Sequence, residues 1–245
     1  EIREQDAALF ISLRDLYDMS PVFIHTSYLI NVASRDGLLR KKSIAMLIEE
    51  MNRADVLGAD YVVLHTGSAS GEEDRVARER AVSALRIVAE SGAWKAGLLI
   101  ENTAGERGDI SSTVNDLSEI KEAVKGSLVS GICIDTCHAF AAGYNIREAP
   151  GREKLIGDAM RHLGRDSVKL IHLNDSKGDA GSRIDRHEHI GRGRIGPSGL
   201  KRFITDDRLS GVPLILETPK KSEHDDILNL RRVRRMLAGN RISAK

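Results

Sequence analysis

Gly131-Ile132-Cys133-Ile134-Asp135-Thr136-Cys137-His138 sets the reading of the whole chain. An apolar run ends in a carboxylate, and an imidazole follows three residues later. Strands buried on both faces of a parallel sheet read as continuous hydrophobic runs, and in barrels of such strands the chemistry collects at their C-terminal tips. Other runs end in the same way. Tyr61-Val62-Val63-Leu64 ends at His65, Gly97-Leu98-Leu99-Ile100 at Glu101, Val168-Lys169-Leu170-Ile171 at His172, and Val212-Pro213-Leu214-Ile215-Leu216 at Glu217. One histidine at a strand tip would mean little. Five successive runs ending in His, Glu or Asp form a pattern.

Helical spacing fills the gaps between these runs. Ala8, Phe10, Ile11, Leu13, Leu16 and Tyr17 mark a helix within residues 1–19, which Pro21 ends. A short strand, Val22-Phe23-Ile24-His25, follows, and then Tyr28-Leu29-Ile30-Asn31 as a loop or short extension. The segment from Ser34 to Gly37 can cap a helix carrying Ile44, Leu47, Ile48, Met51 and Ala54, and Gly58 stands where a helix C-terminal glycine belongs. Further helices are marked by Val76 to Val88, Val114 to Val124, Leu155 to Leu163, Leu200 to Ile204 and Ile227 to Leu237. Small-residue loops follow two strand tips, Thr66 to Gly71 and Asn102 to Gly105, and a loop also runs through Ala141-Ala142-Gly143-Tyr144. Asn174 to Pro197 reads as a long polar loop, a length that in a compact domain is usually functional.

Alternating strands and helices argue an α/β fold with a parallel sheet and right-handed crossovers. Ligand-type residues at every tip fit a TIM (β/α)8 barrel. Six strands are countable, near residues 22–26, 61–65, 97–101, 131–135, 168–173 and 212–217, whereas a closed barrel needs eight. The expectation is one barrel domain over residues 1–245 that opens on a helix at Glu1 and lacks the first two strands at its N-terminus. An open barrel leaves two strand edges. This chain alone is therefore expected to be poorly stable or to pair with a swapped partner; with the barrel complete, it is expected to be a monomer.

Composition narrows the function classes. The 245 residues carry 37 Lys plus Arg against 36 Asp plus Glu, so global charge neither favours nor excludes nucleic acid. At 4% aromatics, a surface built mainly on stacked rings is excluded. The two cysteines, Cys133 and Cys137, make no disulfide framework. Cys133 reads as core and Cys137 as a small residue at the strand tip. No run of 18 apolar residues occurs, so the expectation is a soluble, cytoplasmic protein without a membrane partner. Gly191-Arg192-Gly193-Arg194-Ile195-Gly196 lacks the strand–turn–helix context of a dinucleotide fingerprint, so no nucleotide cofactor is expected. Arg231-Arg232-Val233-Arg234-Arg235 reads as a solvated helix face.

The candidate metal ligands are His65, Glu101, Asp135, His138, His172, Asp185, His187 and Glu217. Nitrogen and oxygen donors suit zinc, with manganese or iron as alternatives. Eight ligands exceed what one ion takes, so two or three ions are expected, with Glu101 or Glu217 able to bridge. Asp185 and His187, two apart, lie on one side of an extended segment. His138 turns off the strand three residues after Asp135. Carboxylates at the ends of apolar runs, such as Glu101 and Glu217, require partners. His25 and His189 are read as supporting or surface residues. A multi-ion site rich in carboxylates suits phosphoester hydrolysis, in which metals acidify a water and clamp the attacking and leaving oxygens.

As a set, these motifs resemble the endonuclease IV family of abasic-site endonucleases. The matching pieces are Leu64-His65-Thr66-Gly67-Ser68, Ile100-Glu101-Asn102-Thr103-Ala104-Gly105, Cys133-Ile134-Asp135-Thr136-Cys137-His138, Ile171-His172-Leu173-Asn174-Asp175-Ser176-Lys177, Gly181 to Gly191 around Asp185-Arg186-His187, and Leu216-Glu217-Thr218-Pro219. The resemblance implies a TIM barrel with a trinuclear zinc centre. It implies a DNA-repair enzyme that hydrolyses the phosphodiester 5′ to an abasic site in double-stranded DNA and trims blocked 3′ ends. On that reading Glu101 bridges two zincs and holds the nucleophile, and Glu217 joins it in catalysis. His65 serves the first zinc. Asp135, His172 and Glu217 serve the second, and His138, Asp185 and His187 the third. Arg186 reaches the DNA backbone. The resemblance also leads one to expect a further histidine after the Tyr28–Asn31 segment, as another ligand of the first zinc; Ser34 stands there. Two rival readings are a metal-dependent sugar isomerase or epimerase on a related barrel, with one or two ions, and an inactive DNA-binding remnant.

Overall fold

The computed structural model describes residues 2–69, 71–126 and 128–238. Glu1, which opens the first helical pattern, and Ser70, in the small-residue loop, lie outside the described residues. Helix α1 (Glu4–Leu16) precedes six parallel strands: β1 (Phe23–His25), β2 (Tyr61–Leu64), β3 (Gly97–Glu101), β4 (Val129–Asp135), β5 (Val168–His172) and β8 (Leu214–Ile215). They form one sheet in the order β1-β2-β3-β4-β5-β8, so each strand lies beside its sequence neighbours and β1 and β8 are the end strands. The crossovers are α2 (Gly37–Leu57), α3 (Asp74–Ser91), α4 (Val114–Val124), α6 (Ala149–Leu163) and α7 (Gly196–Ile204), and α8 (Glu223–Ala238) closes the described chain. This is the β/α alternation of a TIM barrel, with six of its strands among the described residues.

Strand parity divides the core into two layers. Val62, Leu64, Leu98, Ile100, Ile132, Ile134 and Ile171 face outward and pack on the helices. Val63, Leu99, Cys133 and Leu170 face inward, joined by Phe23 and Ile215. Side chains two apart on a strand share a face. One step further toward the C-terminus from that inner layer come His25, His65, Glu101, Asp135, His172 and Glu217. The strands therefore stack a layer of donors directly upon a layer of apolar side chains, as barrel interiors do. Burying one such Leu or Val is worth roughly 1.5–3 kcal/mol, so the apolar layer fixes the strand faces and the donor layer comes with them.

Local chemistry sets the helix ends. Asp36 is the N-cap of α2, its carboxylate accepting from the amides of Leu38 and Leu39, and Gly58 ends that helix at φ 62°. Thr113 and Asp116 form a reciprocal capping box on α4.

Two local expectations change. The loop through Ala142-Gly143-Tyr144 is there, but a helical turn that the sequence did not show, α5 (Thr136–Ala141), precedes it, because the Asp135 carboxylate accepts from the His138 amide and caps it. Cys137 is therefore a buried helix residue rather than part of a strand tip. The long polar loop also contains structure: β6 (Asp175–Ser176) pairs antiparallel with β7 (His187–Glu188). Two-residue strands are too short to leave a period in the sequence.

Candidate metal centre

Glu101 occupies the middle of the donor layer and is fully buried. Its Oε2 lies 3.1 Å from His25 Nε2 and 3.2 Å from His65 Nε2. Its Oε1 lies 3.0 Å from His172 Nδ1 and 3.4 Å from His138 Nδ1. A carboxylate without water must be compensated by charge or by hydrogen bonds. Burial alone pushes the Glu101 carboxyl upward, but the charges of His172 and His65 and the bonds from His138 and His172 outweigh it and hold the group well below the usual range.

The other predicted ligands gather around this centre. His172 Nδ1 is 3.2 Å from Glu217 Oε2. His138 Nε2 lies 3.2 Å from Asp185 Oδ1, and His187 Nε2 is 3.4 Å from the same oxygen and 3.6 Å from Asp135 Oδ2. All eight positions read from the sequence belong to one continuous cluster. Glu101, Asp135, His138 and His172 form a buried floor, while the Asp185 and Glu217 side chains remain 41% and 35% exposed, so the site is open on one side.

His25, read as a supporting or surface residue, is 36% exposed, and its Nε2 reaches Glu101, so it belongs to the cluster too. With His65 and Glu101 it makes a triplet whose donor atoms lie within 4.8 Å of one another, and Asp135, His138 and His187 make a second such triplet. The strand parity that puts Phe23 inward puts His25 inward as well; that signal was present in the sequence. Ser34 has a different task. Its hydroxyl accepts from the Asp36 amide at 3.2 Å and its carbonyl from Arg40 Nη1, which shapes the entry to α2. His189 stays outside the cluster, its Nδ1 3.0 Å from the Asn229 amide.

The ring contacts suit a bound cation. His25 Nδ1 is 2.9 Å from the Thr26 carbonyl, His138 Nδ1 2.9 Å from the Asn102 carbonyl and His187 Nδ1 2.9 Å from the Glu217 carbonyl. A carbonyl only accepts, so each Nδ1 carries a hydrogen, and the Nε2 of each ring is left turned toward a carboxylate oxygen. Two lone pairs face to face repel unless a proton or a metal lies between them, and tying the outer ring nitrogen to a carbonyl is the usual support for a metal-binding histidine. His187 Nε2 is buried and has no hydrogen-bond partner. The donor set of imidazoles and carboxylates is that of zinc and its neighbours.

Three residues that sequence reasoning did not single out hold this arrangement. The Asn174 amide donates to Asp135 Oδ2 at 2.6 Å and lies 3.3 Å from Glu217 Oε2, while its Oδ1 accepts from the Glu217 amide at 2.8 Å. It thereby draws two like-charged carboxylates toward one point. Asn102 grips the β4 tip from the other side, accepting from the Asp135 amide at 2.8 Å. Fully buried Asp175 accepts from the amides of Ser176, Gly193 and Ile195 at 2.9, 3.0 and 2.9 Å, and also from the Gly196 amide. It fastens the glycine-rich segment beyond β7. A Cβ on Gly193 would collide with the Asp175 carboxylate and the Ser176 carbonyl, so that position requires glycine. The motifs that carry these residues were visible in the sequence, but hydrogen bonds spanning 18 to 43 positions leave no periodic trace.

A family described as the xylose isomerase-like TIM barrel matches residues 2–238. Among curated relatives, probable endonuclease 4 of Methanoculleus marisnigri is 41% identical over 219 residues, covering 89% of this chain and 78% of the relative. Probable endonuclease 4 of Aquifex aeolicus is 38% identical over 239 residues, covering 97% and 83%. Among solved structures, endonuclease IV from Thermus thermophilus aligns with a TM-score of 0.83 at 36% identity, over 98% of this chain and 84% of that one. A D-tagatose 3-epimerase-like protein aligns with a TM-score of 0.74 at 20% identity, over 98% and 85%, which is a likeness of fold alone.

Proposed function

This chain belongs to the endonuclease IV family, and on that footing we propose that it is a cytoplasmic DNA-repair nuclease that hydrolyses the phosphodiester 5′ to abasic sites in duplex DNA, using a cluster of zinc ions. Trimming of blocked 3′ ends is the same displacement at a strand terminus. The observation that carries the proposal is the group of nine candidate donors centred on and including buried Glu101, open to solvent on one side.

In the proposed assignment His25, His65 and Glu101 hold a first ion, and Glu101, Asp135, His172 and Glu217 a second. His138, Asp185 and His187 hold a third. When bound, such ions acidify water and neutralise charge on a phosphoryl group during in-line displacement. Glu101 fixes the spacing between the first two positions because its two oxygens point to different partners. Glu217 is the less enclosed of the two carboxylates assigned to catalysis, and we assign it proton transfer to and from substrate or solvent. Asn174 keeps it aligned with Asp135. Arg186 is exposed beside Asp185, and its charge suits a backbone phosphate, a contact that positions DNA without reading sequence. Tyr28 is 93% exposed and Leu29 59% exposed, three and four residues beyond His25. Apolar side chains so placed are suited to wedge against an unstacked nucleotide.

The Asp185–His138–His187 group favours this reading over a sugar isomerase or epimerase, which needs no third set of donors. The test is a duplex with one abasic site, incubated with the protein in zinc buffer and in chelator. A zinc-dependent nick on the 5′ side that leaves a 3′-hydroxyl is the expected result. Intact DNA with the cluster fully loaded would overturn the proposal.

A further inference from the structure

A second basic feature lies outside the metal cluster. Between α7 and α8 is a cavity of about 420 Å³, lined by Lys201 from α7 and by Arg232 and Arg235 from α8. Buried Ile190 and Met236, together with Pro197, supply its apolar walls. The Arg232 guanidinium donates to Asn229 Oδ1 at 3.1 Å. Among the described residues, no carboxylate lies within 4.0 Å of the Lys201, Arg232 or Arg235 charges. Other helical arginines do find a partner: Arg75 meets Glu79 and Arg78 meets Asp116, while Arg86 of α3 and Arg202 of α7 donate to backbone carbonyls. Arg232 and Arg235 are three apart on one helix face, where like charges repel. Lys201 and Arg232 are also partly withdrawn from water, which raises the cost of leaving them unmatched.

Position supplies the second argument. Ile190 is three residues beyond His187. Three residues of chain span at most about 11 Å, so the wall of this cavity lies close to the third donor group. Each nucleotide of a duplex strand rises about 3.4 Å, so a strand held at the metal cluster has neighbouring phosphates within that distance.

We propose that this cavity binds a phosphate group, and that the backbone of the bound duplex supplies it, a few nucleotides from the cleaved bond. The DNA source rests on the function proposed above; the phosphate chemistry does not. A site of this kind would lengthen the footprint and hold the duplex in register without reading bases.

The zinc-loaded protein and its Lys201→Gln/Arg235→Gln variant are compared in two arms. In the first, binding to a 24-mer abasic duplex is followed against salt concentration. Each phosphate contact contributes about 0.9 to the slope of log affinity against log salt, so the variant should bind with a slope shallower by about 1 and nick a saturated duplex at the unaltered rate. In the second, inorganic phosphate is titrated against thermal stability, and the stabilisation should be smaller in the variant than in the parent. A difference in the phosphate arm with an unchanged slope would assign the cavity to free phosphate and overturn the DNA source. Equal slopes and equal phosphate stabilisation would overturn the site. If the parent neither binds nor nicks the duplex, the proposed function fails, and the phosphate arm still decides the cavity.

Discussion

Around the Glu101 carboxylate stand four imidazoles, those of His25, His65, His138 and His172, each with a nitrogen within 3.4 Å. Each contact has a separate consequence. Replacing His25 with Ala removes one donor of the first triplet. We predict a chain that binds one ion fewer and nicks at least about 100-fold more slowly, since loss of even a supporting partner costs 10–100-fold. Ser34→Ala should leave both the metal count and the rate unchanged, because that hydroxyl only shapes a turn. Direct metal analysis beside single-turnover kinetics checks the pair. Asn174→Leu takes its donor from Asp135 and Glu217 while keeping bulk, so two negative oxygens face each other unshielded. Zinc affinity, read by chelator competition, should fall about 10–100-fold, with Asn102→Leu producing a similar loss. Unchanged affinity in Asn174→Leu would show that the ions, not the asparagine, align the two carboxylates.

The elements deliver these side chains with unequal visibility. The strands were legible because Val, Ile and Leu on both faces leave long apolar runs, and because the donor at each tip interrupts them. His25 escapes such a reading for a reason that belongs to its element: β1 has only three residues, too few to show parity when read alone. Compared with its neighbours, Phe23 matches Val63 and Leu99, and His25 then matches His65 and Glu101. Helix α5 and the β6–β7 ribbon were hidden because six-residue and two-residue elements carry no period. The ribbon positions His187, and Asp175 holds the segment beyond it through backbone amides. Asp175→Ala would leave buried N–H groups unpaired at about 1–3 kcal/mol each. For a chain of this size about 3 kcal/mol corresponds to a Tm roughly 6–12 °C lower. Calorimetry checks that figure, and the metal bound at Asp185 and His187 should be the first released. An unaltered Tm would mean that the glycine segment holds itself.

At the scale of the whole molecule, the described strands curl so that one rim gathers the donors and the opposite rim holds none of the nine. Burial pushes the His172 imidazole down, but Glu101, Glu217 and Asp135 overcome it and raise it from 6.5 to about 9. A raised folded pKa stabilises fully below about 6.5, and that contribution is lost as pH climbs through about 9. Glu101 and Asp185 are shifted the other way; burial opposes the shift in both, and the neighbouring histidines prevail. Their contribution is present above the ordinary carboxylate range and is lost as pH falls through their lowered values. The metal-free protein is therefore predicted to melt highest at about pH 5–6.5 and lower on either side. Zinc must displace the imidazole protons, so uptake at pH 7 should release protons and strengthen between about pH 6.5 and 9. Calorimetry in two buffers of different ionisation heat measures that release. Proton-neutral uptake would contradict the charge state assigned to His172. No helix among the described residues is long and apolar enough to cross a membrane. Alternation, strand order and eight of the nine candidate donors could be read from the sequence; Asn174 and Asn102 could not be placed, since their contacts join strand tips far apart in the chain, nor could Asp175, which fastens backbone amides of the glycine-rich segment.

Native mass spectrometry of the zinc-loaded chain tests the central claim most directly. Three ions per chain, falling to two in Asp185→Ala, is the predicted result. A maximum of one or two ions, unaltered by Asp185→Ala, would contradict the third donor group and return the site to the isomerase-like reading.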